Sequence, residues 1–234
     1  MATSVKVLLL KGLFRLFLKN IISFFRWRVF RTTSKNTIDY QIPWMSFAAI
    51  DYLSDWLHKK MVVFEYGSGG SSLFIAERVH QLHSVDHDEL WYNKVQAIIE
   101  QKQIKNITYK LFKPEPLVSS TPSECGNPAN FLSCMGEFNG LSFENYVRSI
   151  DQFSDHYFDL VIVDGRARPS CIKHAMTKVK QGGVLLLDNA DRSYYLNPFP
   201  ELLEEDKWRQ KIFIGHFPHC SASVVDTTIF FFKQ

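Results

Sequence analysis

A glycine-rich turn that follows a short apolar run carries the strongest chemical signal in the sequence. The run over residues 61–66 contains one acid, Glu65, and the turn opens with Gly67, Ser68 and Gly69. Glycines at the end of a strand let the backbone turn sharply and approach a ligand, next to the free N–H groups of the following helix. Residue types and spacing therefore indicate a nucleotide-type ligand at this turn.

A second acid supports the same interpretation. Asp86 ends the next apolar run, 19 residues after Gly67. A carboxylate at that place can accept both hydroxyl hydrogens of a ribose. His87 follows directly and is placed to border an adenine. The turn and the acid together predict a cofactor of the adenosine type in a Rossmann-like crevice.

The elements that must position these residues alternate between strands and helices. Apolar runs predict strands near residues 61–66, 81–86, 107–112, 158–164, 183–188, 211–217 and 227–233. Alternation of strand and helix implies a parallel sheet, while the short loop between the last two runs requires an antiparallel pair. We predict an α/β fold with a doubly wound, Rossmann-like, seven-stranded, mostly parallel sheet and an antiparallel last strand.

The motif Glu65-Tyr66-Gly67-Ser68-Gly69 resembles the first motif of the class I S-adenosylmethionine-dependent methyltransferases, an acid followed by any residue and Gly-x-Gly. In that family an acid at the end of the second strand holds the ribose, which matches Asp86, and the last strand is antiparallel. The resemblance covers roughly residues 42–234. It implies that the chain binds S-adenosylmethionine, with Glu65 near the amino end of the methionine moiety. The family's third glycine is Ser71 here, which bears on the local path of the loop.

Two further acids end apolar runs and are expected at the same edge of the sheet, Asp164 and, with Asn189 after it, Asp188. This resembles the metal-dependent branch of small-molecule O-methyltransferases, which implies Mg²⁺ at Asp164, Asp188 and Asn189. The metal would bind the substrate hydroxyl and lower its pKa. In the alternative, Asp164 contacts cofactor or substrate without a metal, and Asp188 caps a loop.

The catalytic base has two candidates. Catechol-type members of the metal-dependent branch carry a lysine three residues after the first acid, where this chain has Ala167. The base is then either Asp164 itself or His174 on the following helix. Arg166 and Arg168 flank the same edge and could clamp an anionic substrate group, or be solvated loop charges.

The formal net charge of +3 is divided unevenly along the chain. Residues 1–35 hold eight basic and no acidic residues, which leaves 19 basic against 24 acidic residues in the rest. An acidic body argues against nucleic acid as a partner. Residues 5–30 combine a basic stripe with many apolar side chains and predict an amphipathic helix in peripheral contact with a membrane surface. The alternatives are packing on the body or on a partner subunit, and a mitochondrial-type presequence.

We divide the chain into a basic amphipathic N-terminal segment, residues 1–37, and a methyltransferase-like domain, residues 38–234. The Pro- and Ser-rich stretch from 113 to 140 predicts a lid or a binding loop. The four cysteines lack metal-ligand spacing, so we expect reduced thiols in a cytoplasmic protein, peripheral at the membrane surface. Cys125 and Cys134 share one loop and could pair in an oxidising compartment.

These observations predict an enzyme that transfers a methyl group from S-adenosylmethionine to a hydroxyl of a small-molecule, glycan-linked or lipid-linked acceptor. One alternative is a NAD-type Rossmann oxidoreductase, whose G-x-G-x-x-G fingerprint would need glycine in place of Ser72. The other is a non-catalytic, membrane-associated module that keeps the cofactor fold. Asp164 favours an enzyme over that module.

Overall fold

A mixed sheet flanked by helices forms the centre of the protein. The structure is a computed structural model that describes residues 21–33, 35–117, 124–218 and 225–234. Its strands are β1 (Val62–Tyr66), β2 (Gln81–Asp86), β3 (Ile107–Leu111), β4 (Glu115–Pro116), β5 (Leu141–Ser142), β6 (Phe158–Val163), β7 (Val179–Leu187), β8 (Trp208–Gly215) and β9 (Asp226–Lys233). Its helices are α1 (residues 21–31), α2 (Thr37–Tyr40), α3 (Phe47–Trp56), α4 (Gly70–Ala76), α5 (Glu89–Gln101), α6 (Glu144–Arg148) and α7 (Arg168–Lys178). Three short 3-10 helices follow at Gly136–Phe138, Ser193–Tyr195 and Pro200–Leu203.

Seven of these strands form one sheet in the order β3-β2-β1-β6-β7-β9-β8. Among the described residues, β9 is the one strand of this sheet that runs opposite to the other six. This confirms the predicted α/β fold, doubly wound and mostly parallel with an antiparallel last strand. The strand order reverses between β1 and β6, and open α/β sheets bind ligands outside the carboxyl ends of the strands at such a reversal.

The central strands are apolar throughout because both faces of the sheet are covered. Successive side chains of a strand point to opposite faces, so Phe64 and Tyr66 pack with α6 and α7 while Val63 packs with α3 and α4. Both cores are closed at the level of β1 and β6, where every hydrophobic side chain except that of Val62 is buried. The sheet edge that carries the predicted site therefore adjoins a fully packed core.

The described part of α1 packs on the body. The Trp27 ring is buried and stacks on the His216 ring at 5.8 Å between centroids. Arg26 Nη1 donates to both carboxylate oxygens of Asp51 on α3, at 2.9 and 2.8 Å, and its guanidinium lies 4.2 Å from the centroid of the Phe47 ring. These contacts fix the helix against α3.

The predicted membrane contact through residues 5–30 is therefore not supported in residues 21–30. The prediction placed the Trp27 ring and the Arg26 charge against lipid, whereas both contact the protein. Residues 5–20 lie outside the described residues. In the part of the chain that the structure covers, no helix is long and apolar enough to cross a membrane.

A strand pair and a disulfide hold the stretch from 113 to 140 in place. β4 and β5 pair as a two-residue antiparallel ribbon, and Cys125 and Cys134 form a disulfide with their Cα atoms 5.1 Å apart. The expectation of reduced thiols is wrong for these two residues, because their shared loop brings the thiols together. Cys171 is free and buried. Disulfides persist mainly in oxidising compartments, so this bond does not favour a cytoplasmic location. The cytoplasmic location stays a prediction.

Candidate functional site

A cleft of about 550 Å³ opens at the carboxyl ends of β1, β2, β6 and β7. Its volume is in the range of sites that bury a small-molecule cofactor. Eight of the ten predicted site residues line it: Gly67, Ser68, Gly69, Asp86, His87, Asp164, Asp188 and Asn189. Glu65 and His174 are not among its lining residues.

Glycines are required in the turn because main-chain atoms surround it. Gly67 has φ +90°, and a Cβ there would lie 2.8 Å from the Cα of Gly165, in the loop that follows β6. At Gly70 a Cβ would overlap the carbonyl oxygens of Thr37 and Ile42, which come from α2 and its C-terminal end. The turn is thus held between two other segments of backbone, and Thr37 itself lines the cleft.

Glu65 lies behind the turn and holds it. Its Oε2 accepts hydrogen bonds from the hydroxyls of Ser72 at 2.5 Å and Ser84 at 2.6 Å. The Ser72 hydroxyl in turn accepts from the Gly69 N–H at 3.1 Å, so Glu65 acts on the turn through Ser72. Burial raises the pKa of Glu65 to about 7, against the lowering effect of these hydroxyls. The role near the methionine amino group stays a prediction.

Asp86 is the most fully hydrogen-bonded acid of the site. Its Oδ2 accepts from the Ser68 N–H at 2.9 Å and the Ser68 hydroxyl at 2.5 Å, and its Oδ1 accepts from the N–H groups of His87 and Asp88 at 2.7 and 2.9 Å. Burial opposes the charge, but hydrogen bonds from His87, Ser68 and Asp88 hold the pKa of Asp86 below its usual value. All four acceptor positions of the carboxylate are used. A ribose hydroxyl would displace the Ser68 hydroxyl, the only one of the donors that can rotate away.

Trp91 is a site residue that the sequence analysis missed. Its indole Nε1 donates to the Ser68 carbonyl oxygen at 2.7 Å, and the ring lines the cleft beside Gly69. Asp88 caps α5 and accepts from the Trp91 N–H at 2.9 Å, which fixes the start of the helix. An aromatic residue in the first turn of the helix that follows Asp86 is the signal that could have found it.

Arg168 is an internal cross-link and not a clamp for substrate. The side chain is 4% exposed, its Nε donates to the Gly165 carbonyl at 2.9 Å, and its Nη2 donates to the carbonyl and to Oδ1 of Asp164, each at 3.0 Å. Its Nη1 donates to the Asp188 carbonyl oxygen. One buried cation therefore joins the ends of β6 and β7.

Asp164 and Asp188 differ in what surrounds them. The Asp164 side chain is 19% exposed and lines the cleft, and burial raises its pKa to about 6 although Arg168 opposes the shift. Asp188 is buried, accepting from the Thr228 hydroxyl at 2.8 Å and from Asn189 Nδ2 at 3.0 Å. Burial and the neighbouring Asp164 raise the pKa of Asp188 well above its ordinary value.

The predicted Mg²⁺ site at Asp164, Asp188 and Asn189 is not supported. Among the described residues, no group of three or more His, Cys, Asp or Glu side chains is arranged to hold a metal ion. The reason is local: the cation beside Asp164 is Arg168, and both oxygens of Asp188 already accept hydrogen bonds. Asn189 turns its amide nitrogen toward the acids and donates to Asp188 at 3.0 Å and to Asp226 at 2.8 Å.

His174 is outside the cleft. Its Nδ1 lies 2.8 Å from Oδ1 of Asp151, and its ring packs near Phe131. A helix that follows a parallel strand runs back from the carboxyl edge, so six residues along α7 carry His174 about 9 Å away from Arg168. The structure does not bring His174 to Asp164, and we do not retain it as the base.

Comparison with known proteins relates this chain to others through structure. No family model matches the sequence, and no curated protein matches it. A solved structure described as an rRNA methylase from Streptococcus thermophilus superposes with a TM-score of 0.53 at 13% identity, covering 78% of this chain and 92% of that chain. A putative methyltransferase from Streptococcus mutans in complex with S-adenosylhomocysteine gives a TM-score of 0.52 at 14% identity, covering 86% and 100%. A precorrin 8W decarboxylase from Methanobacterium thermoautotrophicum gives 0.50 at 12% identity, covering 86% and 92%.

These neighbours correct one prediction. The acidic body was taken to exclude nucleic acid as a partner, yet the same fold serves in a protein described as an rRNA methylase. The exclusion is wrong because net charge is summed over the whole surface, whereas a polyanion contacts only one part of it. Strand order, the glycine turn and these superpositions together show that the chain has the fold of the class I S-adenosylmethionine-dependent methyltransferases.

Proposed function

We propose that the chain is a methyltransferase that uses S-adenosylmethionine to methylate a hydroxyl group of a small molecule. One observation carries the proposal: a buried acid, Asp86, and the glycine turn meet on one side of a cleft whose other side holds Asp164. The neighbour from Streptococcus mutans, of the same fold, binds S-adenosylhomocysteine in its crystal structure, which supports this choice of cofactor.

The residues on the β1 and β2 side fit the cofactor. Gly67 lets the turn pack directly against the loop after β6, where a Cβ would clash with Gly165, and so keeps the turn at the floor of the cleft. Asp86 would accept one ribose hydroxyl once the Ser68 hydroxyl rotates away, and Trp91 and His87 offer rings for the adenine. When bound, S-adenosylmethionine supplies a methyl group activated by its sulfonium.

Asp164 is the base that the geometry supports. Its carboxylate reaches the cleft, and its pKa of about 6 leaves it mostly ionised near neutral pH while still basic enough to take a proton. Asp164 accepts the hydroxyl proton as the acceptor oxygen bonds to the methyl carbon and the carbon–sulfur bond breaks. Arg168 keeps the carboxylate oriented through Oδ1 and favours its ionised form.

Calorimetry with S-adenosylhomocysteine and NADH tests the cofactor. We expect S-adenosylhomocysteine to bind, and Asp86→Asn to weaken binding at least tenfold, because hydrogen bonds to a charged group are worth about 1.5–3 kcal/mol. Asp55→Asn is the matched control, since Asp55 is an exposed acid on α3 outside the cleft. Binding of NADH without binding of S-adenosylhomocysteine would establish the oxidoreductase instead.

Release of S-adenosylhomocysteine from S-adenosylmethionine, measured with a panel of catechols, hydroxy acids and sugar phosphates, tests the base. Asp164→Asn should lower the transfer rate about 10²- to 10⁴-fold, the usual contribution of a positioned base. Affinity for S-adenosylhomocysteine should change by less than threefold, roughly the effect of about 0.6 kcal/mol. Equal rates for the wild type and the variant would remove Asp164 from the mechanism.

A further inference from the structure

Arg166 carries a positive charge whose hydrogen bonds the protein leaves incomplete. Its side chain lines the cleft two residues after Asp164 and is 28% exposed. The Nε atom is buried, and the described residues offer it no hydrogen-bond acceptor. The nearest carboxylate oxygen is Oε1 of Glu137, 3.9 Å from Nη2, and the Glu137 side chain is 60% exposed. A half-buried cation with so weak a partner is costly unless an anion completes its hydrogen bonds.

The position of this guanidinium is fixed by an aromatic ring. Arg166 lies 5.4 Å from the centroid of Phe138, a residue of the 3-10 helix that follows the disulfide loop. Stacking on a ring occupies the face of a guanidinium and leaves the N–H groups at its edge available. The side chain is thus held in the cleft with its buried Nε donor unsatisfied.

Arg192 brings a second guanidinium to the same cleft from the loop after β7. Its Nη1 donates to the Tyr195 hydroxyl at 2.9 Å, and its guanidinium lies 5.8 Å from the centroid of that ring. Within the described residues, no carboxylate lies at ion-pair distance from Arg192. Besides the internally bonded Arg168, two arginines therefore line the cleft from the loops after β6 and β7, whereas the turn and Asp86 lie at the ends of β1 and β2.

We propose that Arg166 and Arg192 form a subsite for an anionic group, a phosphate or a carboxylate, carried by the methyl acceptor. The planar N–H fork of arginine matches both groups, and charge-assisted bonds of this kind are among the strongest in proteins. The inference rests on the proposed function, because it assigns the opposite side of the cleft to the cofactor. Since Arg166 follows Asp164 by two residues, the acceptor carries its hydroxyl and its anionic group close together, as in a hydroxy acid or a sugar phosphate.

Calorimetric titration of the full chain saturated with S-adenosylhomocysteine tests the subsite, with inorganic phosphate and acetate as separate probes. We expect at least one probe to bind, and Arg166→Gln and Arg192→Gln each to weaken its binding at least tenfold. Arg209→Gln is the matched control, because Arg209 also stacks on a ring, that of Phe232, but lies outside the cleft. The probe that binds identifies the anionic group.

Each other outcome overturns the subsite. Binding of neither probe to the wild type, or equal binding to wild type and both glutamine variants, would show that the arginines do not hold an acceptor anion. A parallel loss of S-adenosylhomocysteine affinity in the variants would assign the arginines to the carboxylate of the cofactor. Should Arg166→Gln fail to fold by circular dichroism, Arg166→Lys keeps the charge, loses the fork and should still weaken binding.

The experiments distinguish failure of the proposed function from failure of the anion subsite. If S-adenosylhomocysteine does not bind the wild type, the proposed function is wrong, and the same phosphate and acetate titrations on the protein without it still measure the anion site. If anion binding then depends on both arginines, the anion site exists but does not serve a methyl acceptor. That result also overturns the inference, which assigns the site to the methyl acceptor.

Discussion

The buried Glu65 makes stability depend on pH in a direction opposite to that of most acids. Its carboxyl is fully buried behind the glycine turn, and burial raises its pKa from 4.5 to about 7. Between these two values the folded protein holds a proton that the unfolded chain has released. The contribution of Glu65 to stability is therefore greatest below pH 4.5 and is lost as the pH rises from 4.5 to about 7.

The size of this effect follows from the two pKa values. At about 1.4 kcal/mol per pH unit, a rise from 4.5 to about 7 costs the folded state about 3 kcal/mol at high pH, and about 2.5 kcal/mol of that falls between pH 5 and pH 8. Glu65→Gln replaces the acid by a neutral group whose oxygen can still accept from Ser72 and Ser84. The substitution mimics the protonated acid and should abolish this contribution.

Urea unfolding of wild type and Glu65→Gln from pH 5 to pH 8 measures the contribution of Glu65 to the free energy of unfolding. The variant should gain about 2.5 kcal/mol relative to the wild type across this interval. Subtraction of the two curves removes most of the similar contribution of Asp164, whose pKa is also raised and whose charge is the smallest of the causes at Glu65. Glu77→Gln is the control, because Glu77 is 75% exposed, and its difference from the wild type should stay within about 0.5 kcal/mol. A difference between wild type and Glu65→Gln that does not change with pH would refute the reasoning.

Three other substitutions are expected to lower the free energy of unfolding, each measured by urea denaturation. Gly70→Ala places a Cβ against main-chain oxygens and should cost about 1–3 kcal/mol, whereas Gly136→Ala, with only one flexible side chain nearby, should be nearly neutral. Arg168→Gln removes a buried cation and should cost about 3–5 kcal/mol; a loss under about 1 kcal/mol would contradict the cross-link. Replacing Cys125 and Cys134 by serine opens a loop with a sequence separation of 9 and should cost about 3 kcal/mol, and a thiol reductant should reproduce this loss in the wild type only.

Local patterns made most of the fold predictable from the sequence. The apolar runs that contain Glu65 or end in Asp86 and Asp164 mark strands because buried parallel strands are apolar on both faces. Strand ends of a parallel sheet meet at one edge, so the acids could be placed near one another without knowledge of the packing. The glycine turn added the predicted site of the cofactor.

Side-chain orientation could not be predicted in the same way. Arg168 lies four residues after Asp164, and nothing in the sequence shows that its guanidinium turns back to bind three carbonyl oxygens. The Arg168 guanidinium therefore occupies the place beside Asp164 where the sequence analysis predicted a metal ion. His174 failed for a related reason, because residue type suggested a base while the direction of α7 carries the ring to Asp151. The inward-facing Trp27 depends on packing against residues nearly 200 positions away.

The contact at Gly70 constrains how this sequence can change over evolutionary time. The atoms that exclude a side chain there are the carbonyl oxygens of Thr37 and Ile42, which every residue type possesses. Substitution at positions 37 or 42 therefore cannot relieve the constraint; only an insertion, a deletion or a new path of the chain can. We therefore expect residues 37–42 and the glycine turn to change together in evolution. Replacing one of them by an unrelated sequence would require a new backbone path in the other.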